Sequence, residues 1–164
     1  MLALSAPFLA LSACLGRDSS TKPTLPSRPY AFYLAANGIT IRCPDAAVDD
    51  KGTVAGVQYT KRSAAEIRAL VVADVYAPLT TTCTSGVTNM GYMFEGANAF
   101  NEPIGSWDVS SVRNMTGMFQ DAHAFNQDIG SWCVALIPSQ PTTFDDGARS
   151  WVLPRPVWGT CPGG

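Results

Sequence analysis

Along the middle of the chain the hydrophobic positions step first by three and four, then by two. Val87, Met90, Met93, Phe94, Ala97 and Phe100 follow the first spacing, and Trp107 and Val109 the second. The pattern then restarts with Val112, Met115, Met118, Phe119, Ala122 and Phe125, followed by Trp132 and Val134. Steps of three and four line one face of a helix, and steps of two line one face of a strand. Each 25-residue unit therefore predicts a helical segment, a corner at Asn101 or Asn126 and a short strand. Two such units fill residues 87–136, with most positions identical between them. Ile137, aligned with Val112, and Phe144, aligned with Phe119, start a partial third unit in residues 137–164. Pro138 and Pro141 stop that unit from continuing as a helix and make it a C-terminal cap. Self-similarity at this period predicts an α/β repeat fold: a short solenoid with a parallel strand ladder and N- and C-terminal caps.

Upstream of the repeats the pattern changes. In "GITIRC", Ile39, Ile41 and Cys43 alternate as a strand would. "GTVAGVQYT" sets two β-prone runs around Ala55-Gly56, a hairpin signal. Ser63 and Glu66 form a capping box that opens a helix whose Ile67, Leu70 and Val71 share one face. Residues 35–86 thus predict a ββα-like cap covering the open end of the repeats. Before it, residues 16–34 are rich in Ser, Thr and Pro and predict a flexible tether.

Composition removes several function classes. The 164 residues carry a net charge of -2 with only 15% charged side chains, so no basic patch for nucleic acid or anionic lipid is expected. One histidine, His123, leaves no His-rich metal site and little basis for His-based catalysis. Residues 1–15 are uncharged, too short to span a bilayer, and suited to the apolar core of a secretory signal. Leu11-Ser12-Ala13-Cys14 resembles the lipobox of bacterial lipoproteins, which implies lipidation at Cys14. The expected location is the cell surface, as an outer-membrane lipoprotein or a secreted protein, with membrane contact only through that anchor.

The units "VTNMGYMFEGANAFNEPIGSWDVSS" and "VRNMTGMFQDAHAFNQDIGSWCVAL" resemble the BspA-like leucine-rich-repeat surface proteins. "RPVWGTCP" is similar to a C-terminal cap of that family, and "NGITIRCPDAAV" with "YTKRS" to a leader before its repeats. The resemblance implies a leucine-rich-repeat-like solenoid, surface display and adhesion to protein or extracellular-matrix ligands. It brings no catalytic residues and no cofactor.

Five cysteines remain to be placed. With Cys14 lipidated, Cys43, Cys83, Cys133 and Cys161 allow three disulfide pairings. In the expected ladder Cys83, Asp108 and Cys133 share one column, so Cys83 and Cys133 stand two rungs, about 9.5 Å, apart. That exceeds the roughly 7 Å a disulfide spans. Cys43–Cys83 with Cys133–Cys161 would staple each cap to its neighbouring repeat, whereas the remaining pairing joins opposite ends. Buried free thiols and a zinc site are the alternatives, the latter without any C-x-x-C pair.

Other candidates have simpler explanations. Met90, Met93, Met115 and Met118 suit core packing better than a soft-metal stripe, and Trp107 and Trp132 suit interior packing better than a sugar platform. His123 is expected on a solvated turn, the Asn114 sequon to be idle, and Asp45, Asp49 and Asp50 to lie in a polar loop. Ser106, Asp108, Ser110 and Ser131 are expected to project from the ladder as a candidate contact surface. The leading functional expectation is a non-catalytic recognition or adhesion module. A structural envelope or spacer protein comes second, and a hydrolase using Asp108 with Asp128 third.

Overall fold

The computed structural model of the protein describes residues 31–163. Among the described residues all regular secondary structure lies before residue 84. Strand β1 (Tyr33–Leu34) pairs antiparallel with β2 (Ile41–Arg42), and β3 (Lys51–Val54) pairs antiparallel with β4 (Val57–Lys61). Helix α1 (Ala64–Val72) and a 3-10 turn (Ala77–Thr81) follow, and β5 (Thr82–Cys83) returns parallel to β4.

Local chemistry explains these elements. Ala55 and Gly56 both adopt positive φ, 48° and 82°, the geometry a two-residue hairpin turn requires. Ser63 caps α1 by accepting from the Glu66 amide, and the Glu66 carboxylate accepts from the Ser63 amide at 2.7 Å. Ile67 and Val71 turn inward from that helix, with Leu70 packed partly buried beside them. The expected tether is too long at its end, because Phe32 is buried and Tyr33–Leu34 form β1. Gly52 makes this possible: a side chain there would collide with the Phe32 ring. The signal-like residues 1–15, Cys14 and the rest of the tether lie outside the described residues.

The α/β solenoid does not survive. Among the described residues there are short strands in a two-stranded and a mixed three-stranded sheet, one α-helix, and no helix or strand within the two copies. The one isolated β-bridge between the copies, again among the described residues, is parallel and joins Asn89 to Asn114. The apolar spacing of three and four comes from successive tight turns. Met93 donates to the Met90 carbonyl and Ala97 to that of Phe94, each closing a four-residue turn. Tyr92 and Gly96 have positive φ, 55° and 67°, and so do Gly117 and Asp121, 58° and 54°. A right-handed helix cannot pass through such residues.

The amides between those turns bond across the two copies instead. Tyr92, Phe94 and Gly96 donate to the carbonyls of Thr116, Met118 and Gln120, all at 2.8 Å. Equivalent rings then lie parallel: Phe94 on Phe119 with centroids 5.3 Å apart, Phe100 on Phe125 at 5.5 Å, and Trp107 on Trp132 at 6.5 Å. Each indole finds an acceptor one copy back, Trp107 at the Leu79 carbonyl (3.0 Å) and Trp132 at the Ile104 carbonyl (3.2 Å). The four methionines are buried in the same core, which continues into α1 through Ile67 and Val71.

The third unit is offset by one residue. Gly117 to Thr143 and Asp121 to Gly147 are each 26 residues, and both members of each pair have positive φ. Asn126 Oδ1 accepts from Val152, 26 residues on, where Asn101 Oδ1 accepts from Asn126, 25 residues on. Phe144 therefore stands in the place of Met118, not of Phe119, and Trp151 in that of Phe125. Because Ile137 still matches Val112, the extra residue falls in the stretch Pro138–Gln140.

Candidate functional site

The four residues expected to form a contact surface are not assembled as one. Asp108 is buried, with its side chain 8% exposed. Ser106, Ser110 and Ser131 are half-buried. The expectation assumed a strand in which Trp107 and Val109 face in and Asp108 faces out. Instead Trp107, Asp108 and Val109 are all buried, because the N-terminal layer packs over the face Asp108 presents. The Ile41 amide of β2 donates to the Ser106 carbonyl at 2.8 Å and fixes that packing.

Asp108 sits at the centre of a polar network. Its Oδ2 accepts from Ser85 Oγ at 2.6 Å, and its Oδ1 accepts from Ser110 Oγ at 2.6 Å and from the Ser110 amide at 3.2 Å. Ser85 Oγ in turn accepts from the Cys43 amide at 2.9 Å, and Thr84 Oγ1 donates to the Asp108 carbonyl at 2.9 Å. Arg42 Nε lies 4.0 Å from Oδ2 and has no hydrogen-bond partner among the described residues. Lys61 Nζ donates to the Cys43 carbonyl at 2.9 Å. Burial lowers the Lys61 pKa, while the charges of Asp108 and Asp45 pull it back up. A buried carboxylate with this many donors is satisfied, and the network joins the N-terminal layer to the first copy.

Both disulfides of the expected pairing are present, Cys43–Cys83 and Cys133–Cys161. They flank Asp108 in the column that contains Cys83, Asp108 and Cys133. The first is fully buried against Phe32 and Ile41. The second is accessible, with Cys133 half-buried and Cys161 exposed. A cavity of about 210 Å³ lies between the N-terminal hairpin and this second disulfide, lined by Asn37, Thr40, Arg42, Asp108 and both cysteines.

The remaining candidates scatter. Asp128 is exposed and accepts from the Gly130 amide at 2.9 Å, so it holds a turn while Asp108 is buried in the network above. His123 lies 3.8 Å from Asp121 on an open turn. Among the described residues no three His, Cys, Asp or Glu side chains are placed to hold a metal ion. Sequence reasoning missed Ser85 and Arg42 as Asp108 partners, although Asp108 standing between two cysteines of one column was the available signal. It also missed Arg68, whose guanidinium donates to the Gly91 and Tyr92 carbonyls at 3.0 and 3.1 Å and closes the outer side of the first copy.

No curated protein and no solved structure matches the chain. Residues 69–158 match a family model described as "Mycoplasma protein of unknown function, DUF285", and nothing in that match is specific to BspA-like leucine-rich repeats. The matched span runs from within α1 to Trp158, so it takes in the turn-built copies, the third unit and more than half of the chain. On that match the chain belongs to the DUF285 family.

Proposed function

We propose that the protein is a non-catalytic recognition or adhesion module, displayed at a cell surface or secreted, with a protein or matrix component as its ligand. The observation carrying this reading is the pair of disulfides, since such bonds persist in oxidising compartments and are rare in the cytosol. The uncharged N-terminal run and the lipobox-like Cys14 support the same location. The turn-built copies support binding over chemistry, because their main chain is held by neighbouring turns while many polar side chains stay exposed.

Two measurements test it. Protease treatment of intact cells should remove the chain from the surface, with both disulfides oxidised. The purified protein should be retained on immobilised extracellular-matrix proteins. Surface exposure without retention would leave a spacer role. A reduced chain in the cytosol, or turnover in a hydrolase screen abolished by Asp108→Asn, would overturn the proposal.

A further inference from the structure

The cavity of about 210 Å³ beside the second disulfide has two walls that are held in unequal ways. One wall is the hairpin of β1 and β2. Asn37 Oδ1 accepts from the Ile39 and Thr40 amides at 3.1 and 3.0 Å, and Asn37 Nδ2 donates to Thr40 Oγ1 at 2.8 Å. The Ile41 amide ties that hairpin to the Ser106 carbonyl. The opposite wall is Cys161, Pro162 and Gly163, all exposed. The chain leading to it is bonded as far as Thr160, whose carbonyl accepts from the Val134 amide at 2.8 Å. Beyond Thr160 these residues make no backbone hydrogen bond among the described residues. They are held by the Cys133–Cys161 bond and by the packing of Gly163 on Asn37, where a side chain on Gly163 would come within 2.9 Å of Asn37 Cβ.

We propose that Cys133–Cys161 is a redox latch: exchange with an external dithiol frees residues 161–163 and opens the recess beside Arg42. A thiolate of the dithiol attacks Cys161 Sγ, on the exposed side of the bond, forming a mixed disulfide and releasing Cys133 as a thiolate. The second thiol of the reagent then displaces Cys161. The dithiol leaves as a disulfide, and two electrons and two protons end on the cysteine pair. The fold can outlast this step, because neither cysteine belongs to the apolar core, and Cys43–Cys83 stays buried. Opening changes what the recess presents. Arg42 Nε is closed off from water without a hydrogen-bond partner among the described residues, and Asp108, 4.0 Å away, is already engaged by Ser85 and Ser110. The released wall therefore uncovers a guanidinium with donors to spare.

This device goes beyond the recognition reading and stands without it. The test exposes the full chain to dithiothreitol under mild conditions, removes the excess, and confirms by mass which disulfide has opened. An arginine-directed dicarbonyl reagent then labels the protein, and the labelled peptides are mapped. Labelling of Arg42 should rise severalfold on reduction and fall back on reoxidation. Arg113, exposed in either state, should label at an unchanged rate, and the bonded amides of Phe94 and Phe119 should keep their slow hydrogen exchange. The double change Cys133→Ser with Cys161→Ser should label Arg42 fast without reductant and ignore its addition. If that variant does not fold, reduction of the natural chain decides alone. Arg42 labelling that stays constant after Cys133–Cys161 has opened would overturn the latch. So would a rise that comes with lost protection of Phe94 and Phe119, which would make the bond a staple of the whole fold. Opening of Cys43–Cys83 at the same rate would also overturn it.

Discussion

Residues 31–83 and residues 84–163 solve the same problem by different means. Every buried amide and carbonyl needs a partner. The first region finds them mostly nearby in the chain: a two-residue turn joins β3 to β4, and α1 bonds within itself and caps itself with Ser63. The second region makes only short turns locally and sends alternate amides to a unit some 25 residues away. Regular structure can therefore be read from local sequence, while the turn-built region holds its shape only when its neighbour is present. The two are not independent, because Ile67 and Val71 of α1 share one core with the copies.

The largest test removes a ring from that core. Trp132→Ala deletes a fully buried side chain that packs on Trp107 and donates to the Ile104 carbonyl. A loss of about 3–5 kcal/mol is expected from urea unfolding. If the regions share one core, β-sheet and tryptophan signals should fall in a single transition. Two separated transitions would break the comparison into two independent domains.

Reduction should come next in size and should separate the two ends in rate. Loops of 40 and 28 residues are closed by the disulfides, each contributing about 3–4 kcal/mol in the chain-entropy model. Exchange depends on access to the sulfurs. Cys133–Cys161 should therefore be reduced under mild conditions that leave the fully buried Cys43–Cys83 intact. The expected readout is altered fluorescence of Trp158, which packs edge-on against Phe144 at 4.8 Å, before any change in the melting of the N-terminal sheets. Simultaneous reduction of both would refute the assigned difference.

A smaller effect is expected at the start of α1. Ser63→Ala removes the cap and should cost about 1 kcal/mol. Amide exchange should increase first in the opening turn of α1, because the cap acts locally. Loosening that spreads equally through residues 117–121 would show that the two regions are more tightly coupled than their bonding suggests.

The smallest is a pH effect at the same cap. Hydrogen bonds from the Ser63 amide and hydroxyl hold the Glu66 pKa below its usual 4.5. Its folded pKa is lowered, so its contribution is complete above the unfolded pKa and disappears as pH falls through the folded one. Glu66→Gln should thus lose less stability than the parent chain on acidification from about pH 6 to pH 3. Equal acid sensitivity of the two proteins would remove this role from Glu66.

What the sequence by itself determined is what short-range chemistry or composition decides. The Ala55-Gly56 hairpin and the Ser63–Glu66 box are legible because their hydrogen bonds connect residues only a few positions apart. The buried methionines, phenylalanines and tryptophans are legible because the repeat marks them whatever backbone carries them. Column geometry was sufficient to narrow the disulfides, since it survives the change from strands to turns. Only the tertiary structure decided the rest. An apolar step of three and four serves a helix or a run of turns equally well, and the choice lay in whether alternate amides met acceptors along the chain or in the next unit. Asp108 faces inward because β2 packs over it, and Phe32 joins the fold because Gly52, twenty residues later, leaves room for its ring. Each of these outcomes depends on a partner distant in sequence, whose position is set by packing.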